Sequence, residues 1–229
     1  MMKFQENIEQ RLTGRHKKSF DMVGNVKDKK ILDIGCSFGW FEKYAVENGC
    51  KEIIGIDTNE KDLSNAKNQI KDKNVKFLKR SVLDLSDFDK NYFDIVAMWE
   101  VLEHIPKNTE EKVFQEIARV LKHGGRLFLS TPNNSFFSNV LDPAWYFGHR
   151  HYSRKKITQL LSESNLKIEE TSCGGGFYEL FSMILLYIFK WLLKREMPFK
   201  KWFDERRNNE YSMKDGFATL FFKMKLIIK

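Results

Sequence analysis

Two carboxylates and an imidazole crowd one short stretch of this chain, Glu100, Glu103 and His104 in W-E-V-L-E-H-I. If the chain turns helical there, the i, i+3 and i+4 spacing sets all three side chains on one face. Such a group can hold a hard or borderline divalent ion such as Mg2+ or Mn2+, and a bound ion would lower the pKa of a hydroxyl acceptor. The same spacing also suits a metal-free role. Glu100 would then accept backbone or cofactor hydrogen bonds, Glu103 would cap a short helix and His104 would pack. Downstream, F-G-H-R-H-Y-S-R brings His149 and His151. Neutral imidazoles titrate near working pH, so either could take a proton from an acceptor hydroxyl, or both could sit in a solvated loop.

A second constellation is built for binding. In I-L-D-I-G-C-S-F-G-W-F, residues 31–41, an apolar run meets a glycine turn and then a helix-like pattern. Ile31, Leu32 and Ile34 suit a buried strand, while Gly35 and Gly39 let the backbone turn and approach a nucleotide-like cofactor at the next helix N-terminus. Asp33 is a carboxylate at the end of that strand, costly unless turn amides or a ligand ammonium surround it. About 20 residues past the turn, E-I-I-G-I-D ends in Asp57, the place where an acid commonly bonds the two ribose hydroxyls of a nucleoside. Its alternative is an N-cap for the helix expected over Glu60–Ile70.

These residues need a scaffold that brings strand ends together. A helix from about Phe4 to Met22 precedes alternating strands and helices: the glycine-turn strand, a helix over 38–48, Glu52–Asp57, the Glu60–Ile70 helix, Asp94–Trp99, an amphipathic helix over Thr109–Leu121, and Arg126–Ser130. Gly124, in His123-Gly124-Gly125, is expected to end the amphipathic helix as its C-terminal cap. The pattern predicts an α/β, doubly wound, mostly parallel sheet. Ligands in such sheets sit beyond the carboxyl ends of the strands, which puts Asp33, Asp57 and Glu100 along one rim.

With D-I-G-C-S-F-G, G-I-D, W-E-V-L-E-H-I and L-K-H-G-G-R-L-F-L-S-T-P-N in this order, the chain resembles the class I S-adenosylmethionine-dependent methyltransferases, particularly their ubiquinone-biosynthesis O-methyltransferase-like branch. The resemblance runs from about Lys29 to about Cys173. It implies a seven-stranded Rossmann-like sheet and S-adenosylmethionine as cofactor. Asp33, Gly35, Cys36 and Gly39 match positions around the methionine part, Asp57 the ribose acid, and Thr58 a place beside the adenosine. Val82 and Trp99 join this cofactor set. Ser37 stands where the family usually has glycine. Ser81 stands where it has an acid for the adenine amino group, unless the alignment slips to Asp84. Within the family, E-x-x-E-H is found in metal-dependent quinone-ring O-methyltransferases, and in small-RNA 3′-terminal 2′-O-methyltransferases it joins a later histidine. His149 matches that fourth-ligand position, which implies Glu100, Glu103, His104 and His149 as a metal set. The same motif also occurs in relatives without a metal.

The 229 residues suffice for one elaborated domain, and 42% hydrophobic content with a mean hydropathy of -0.48 excludes a polytopic membrane protein. The first residues lack the apolar core of a secretory leader, and Cys36, Cys50 and Cys173 show no paired metal spacing. Reduced thiols and a cytoplasmic location are expected. The expected divisions are an N-terminal helical lid (1–28), a cofactor-binding core (29–172), a helical insertion (177–212) and a last strand (217–228). The insertion is apolar on nearly every helical face from Leu180 to Phe189, so it must be buried in something. Lys194, Arg195, Lys200, Lys201, Arg206 and Arg207 follow it. A cap on the sheet, a homodimer interface and peripheral docking on an anionic membrane all remain open. Phe136, Phe137, Trp145, Tyr146 and Phe147 are expected in lid or core packing. A net charge of +8 could signal nucleic acid, but the lysines are scattered and no stacking motif interleaves them. A small hydrophobic or lipid-linked acceptor, a quinone-like ring or a polyprenyl-linked sugar, therefore ranks above RNA 2′-O-methylation and above a non-catalytic, cofactor-binding interaction subunit.

Overall fold

The strands line up in the order β3-β2-β1-β4-β5-β7-β6, all parallel except β7, which runs antiparallel to both neighbours. They are β1 (Lys30–Ile34), β2 (Glu52–Asp57), β3 (Val75–Lys79), β4 (Phe93–Trp99), β5 (Leu121–Pro132), β6 (Leu166–Gly174) and β7 (Thr219–Leu226). This computed structural model describes residues 12–227 apart from Glu196 and Lys214. The parts of the expected first helix (from Phe4) and N-terminal lid that precede residue 12, and the end of the expected last strand at Ile228, lie outside the described residues.

Helices cover both faces, and the sequence alternation explains how. Leu32, Ile34, Val96, Met98, Leu127 and Leu129 point to one side, where α4 (Glu110–Val120) and α7 (Arg154–Leu160) pack Val113, Phe114, Ile117 and Ile157 onto them. Ile31, Ile53, Ile95, Ala97 and Phe128 point to the other, under Phe20 and Val23 of α1 (Gly14–Val23) and Phe41 and Ala45 of α2 (Trp40–Glu47). Strands buried on both faces carry continuous apolar runs, which is why β1, β2 and β4 read so plainly. The remaining core helix, α3 (Glu60–Gln69), follows β2.

Gly124 does not cap α4. That helix ends at Val120 and β5 begins at once, with Gly124 inside the strand at φ +75°. The amides of Asn91 and Tyr92, just before β4, donate to the carbonyls of Arg119 and Val120, so the helix end is satisfied without a glycine turn.

After β5 the chain makes two short helices, α5 (Phe136–Leu141) and α6 (Pro143–Tyr146). Between β6 and β7 it inserts α8 (Phe177–Tyr187), a π-helical turn (Ile188–Leu192) and α9 (Lys200–Ser212). Glu210 of α9 ties the insertion together, its carboxylate accepting from the amides of Gly176, Tyr178 and Glu179 at the start of α8 at 2.8–2.9 Å. A negative charge there meets the positive end of the helix dipole. The apolar helix is only half covered: Glu179, Leu180 and Ser182 face inward, while Phe177, Tyr178 and Phe181 face solvent. Complete burial, expected from its all-round apolarity, does not occur because α9 and α5 cover one side alone.

Candidate functional site

The glycine turn is a cradle that side chains would fill. Gly35 (φ +77°) and Gly39 (φ +88°) adopt left-handed backbone, and a Cβ on Gly35 would come within 2.3 Å of Val101 Cγ2. The amides of Gly35 and Cys36 donate to the carbonyl of Ile56, which pins the turn to β2. Ser37, where the resemblance leads one to expect glycine, also holds a positive φ of +45°, so the loop keeps its path at a conformational cost. Its amide donates to Asp57 Oδ2 (2.9 Å), and the amide of Asn59 donates to Oδ1 (2.8 Å). Asn59, not Asp57, caps α3 by accepting from Lys61 and Asp62. Asp57 is thus held at the rim, with Thr58 exposed beside it.

After β3, Ser81 lies half-buried and accepts from the amide of Leu83, with Val82 buried next to it. Asp84 is exposed and accepts from Ser86. Trp99 ends β4 with its ring edge-on to Phe41 and its buried indole N–H without an acceptor. Asp33 Oδ1 likewise lacks a donor. Orphaned polar atoms beside a side-chain-free cradle fit a cofactor that carries both an ammonium and a nucleoside.

One resident of this region was not foreseen. Glu42, one turn into α2, is fully buried at 0% exposure against Gly55, Cys36 and Asp33, itself 2% exposed. Apart from one another, the two acids find no donor for Asp33 Oδ1 or for either Glu42 oxygen. Burial raises the pKa of Asp33, helped by Glu42 and Asp57, and burial pushes Glu42 up to about 8. A raised acid pKa means the folded state holds the proton more tightly. Its contribution is full below about pH 4.5 and is lost as pH rises toward about 8. Glu42→Gln, which needs no proton, should therefore raise the melting free energy of the cofactor-free protein at pH 8–9 by on the order of 2 kcal/mol, with no gain at pH 5. Thermal melts at the two pH values decide it, and an equal effect at both would remove the titration argument.

At the reactive end the chain does not turn helical. Glu100 holds a left-handed φ of +54° and residues 101–105 form turns, so the helical face expected for Glu100, Glu103 and His104 is absent. Each goes its own way. Glu100 accepts from Arg15 Nη1 (2.8 Å) and from Ser130 Oγ (2.7 Å). Glu103 is buried and accepts from Thr131 Oγ1 (3.2 Å), its pKa raised by burial and then by Glu100. His104 turns out to solvent and packs edge-on against His149 with ring centres 4.4 Å apart. Among the described residues no group of three or more His, Cys, Asp or Glu side chains is placed to hold a metal, so the four-ligand set Glu100, Glu103, His104 and His149 does not assemble. The cation beside Glu100 is Arg15.

Arg15 heads a half-buried network. Burial opposes its charge, but Glu100, Tyr211, Glu179 and Glu103 together raise its pKa. Glu179 of α8 accepts from Arg207 Nε of α9 at 2.5 Å, and Arg207 and Arg15 hold its pKa low against burial. These pairs fasten α1, α8 and α9 over the β4 tip. Nothing in the local pattern around Arg15 or Glu179 announces partners 85 and 28 residues away.

His151 is not a base. Its ring nitrogens lie 2.8 Å from Asn139 Oδ1 and 3.0 Å from Asp142 Oδ2, its side chain is sealed, and the Trp145 ring packs against it at a tilt, with ring centres 4.8 Å apart. It fastens α5 and α6 to the strand-like segment at Tyr152. Arg150 closes the E-x-x-E-H turn by donating to the carbonyls of Leu102 and Ile105 and to Glu110. His149 remains accessible and lines a cleft of about 600 Å³ with Lys107, Trp145 and Tyr152. The glycine turn and Asp57 do not line this cleft, which opens between the start of α4, α7 and the residues after α6.

Residues 32–129 match the family model described as a methyltransferase domain. A ubiquinone biosynthesis O-methyltransferase of Nitrosomonas europaea is 32% identical over 117 residues, covering 50% of this chain and 48% of that protein. One from Dechloromonas aromatica is 34% identical over 117 residues, covering 50% and 49%. The chain thus spans about half the length of the curated relatives it matches. A solved S-adenosylmethionine-dependent methyltransferase from Mesorhizobium loti shares the fold, with a TM-score of 0.67 at 17% identity over 96% of this chain and 100% of that one. Residues 32–129 thus carry a methyltransferase domain, and the chain has the fold of the class I S-adenosylmethionine-dependent methyltransferases.

Proposed function

We propose that the protein methylates an oxygen of a hydrophobic or lipid-linked acceptor, such as a quinone-like ring or a polyprenyl-linked sugar. The observation that carries this reading is the His104–His149 pair, with His104 four residues past Glu100 in the turn after β4. An oxygen acceptor must lose a proton, and His104 is suited to take it. Partial burial, then His149 and Arg150, lower its pKa, so the ring is neutral at working pH. The match to curated O-methyltransferases supports the same choice.

The bound cofactor supplies an already activated methyl group. The chain's task is to hold the acceptor in line with it and to move one proton. Asp33 and the Gly35–Gly39 turn face the methionine part, Asp57 the ribose, and Ser81 and Val82 the adenine side. Trp99 packs between Phe20 and Phe41 and walls the pocket against water. Glu100, fixed by Arg15 and Ser130, shapes the floor where acceptor and methyl meet. The carboxylates that would hold a metal, Glu100 and Glu103, are bound instead to Arg15, Ser130 and Thr131.

Calorimetric titration with S-adenosylmethionine tests the first half of this reading. Asp57→Ala should weaken binding by about 1–3 kcal/mol through lost ribose hydrogen bonds. Unchanged affinity would remove Asp57 from the site. Transfer of labelled methyl to a polyprenylated catechol, set against a short RNA, tests the second half, and labelling of the RNA alone would overturn the acceptor class.

A further inference from the structure

The outer surface of the insertion, together with α5 and α6, forms a lid over the β4 tip that is unusually apolar for a face turned to solvent. Leu192 is 75% exposed and Phe199 78%, and across α5 and α6 Phe136 is 75% and Phe147 83% exposed. Phe136 and Phe147, expected in lid or core packing, lie on the surface instead. Ring contacts join three of its helices. Phe136 meets Phe137, Phe137 meets Phe177 at 5.2 Å, and Tyr178 meets Trp202 at 5.6 Å, linking α5, α8 and α9. Contiguous exposed apolar surface on this scale marks a docking site.

The flank of the patch is cationic. Lys194, Arg195, Lys200, Lys201 and Arg206 are exposed there, against Glu205 and Asp215 as the exposed acids among the described residues of 188–216. Arg206 lies over the Trp202 ring at 5.3 Å, so charge and aromatic body share one edge. Aromatic rings with basic side chains beside them match the boundary between lipid headgroups and acyl chains. No helix among the described residues is long and apolar enough to cross a membrane, so contact would be in the interface plane. A second copy of the chain fits less well. An isologous dimer through this patch would set one cationic flank against another.

We propose that this face, formed by α5, α6, α8, the π-helical turn and α9, docks on an anionic lipid bilayer. Its inner side reaches the catalytic rim through Glu179, Arg207 and Arg15, so a docked protein would meet a membrane-borne acceptor from the lid side. Docking extends the hydrophobic-acceptor reading, yet the two fail separately. Cofactor titration and methyl transfer to a detergent-dispersed acceptor do not require vesicles.

The experiment is co-sedimentation of the full chain with vesicles of phosphatidylcholine, with and without phosphatidylglycerol, at 50 and 300 mM salt. Binding should require phosphatidylglycerol and fall with salt, as screening shortens the reach of the cations. Combining Lys194→Gln with Arg195→Gln should weaken binding roughly 30-fold, since each cation near such a surface contributes about fivefold. Leu192→Ser with Phe199→Ser should abolish binding even at low salt. Both pairs are exposed, and retained affinity for S-adenosylmethionine verifies their folding. Failure of the wild type to sediment at 50 mM salt would overturn the proposal. So would apolar variants that bind as before, or a dimer in sedimentation velocity that the same variants dissociate.

Discussion

Replacing His104 by Ala should cut turnover by about 10²–10⁴-fold, the range for removing a positioned general base, while leaving affinity for S-adenosylmethionine within twofold. The split follows from position. His104 stands in the turn beyond β4 and touches His149, whereas the glycine turn and Asp57 are set by hydrogen bonds it does not share. The pH profile gives the second readout. The pKa of His104 lies below its ordinary 6.5, so kcat/KM should be flat above about pH 6.5 and fall as acid protonates the ring. His149→Ala removes the neighbour that helps hold that pKa down, and should move the acid limb toward higher pH. A His104→Ala enzyme with full turnover, or an acid limb unchanged by that variant, would assign proton removal to another group.

Half of this site could be read from the chain and half could not, for reasons of range. The glycine turn, Asp57 and the strand order are legible because their determinants are local: apolar runs buried on both faces, glycines where φ must be positive, and an acid at a fixed distance. The reactive rim misleads for the complementary reason. E-x-x-E-H has helical spacing, but Glu100 takes a left-handed backbone and Arg150, 47 residues past Glu103, holds the turn by its carbonyls. His151 looks like a base until Asn139 and Asp142 claim both nitrogens. Glu42 carries a faint signal, an acid one residue from buried Phe41 and three from buried Ala45. The lid is the intermediate case. Its place in the order was readable from Phe177 onward, but apolarity could not say which side faces the protein, because Glu210 and Arg207 decide that from α9.

Breaking the Arg15–Glu100 pair should have the largest effect on stability. Arg15→Met leaves Glu100 with Ser130 alone and strips a shared cation from Glu179 and Glu103. Losing one partner of a buried pair costs about 3–5 kcal/mol. The low end, about 3, applies here because 28% of the Arg15 side chain still meets solvent. In a chain of this size each kcal/mol moves Tm by about 2–4 °C, so a drop of roughly 6–12 °C is expected. The control is Arg15→Met with Glu100→Gln, where no carboxylate is left stranded. Much of the lost stability should return, and the recovery measures the coupling between the two residues. Turnover should stay low in both variants, since Glu100 fixed by Arg15 and Ser130 shapes the floor of the site. If Arg15→Met alone melts within 1 °C of the wild type, the ion pair is a surface contact and the lid is fastened by Glu179 and Arg207 without it.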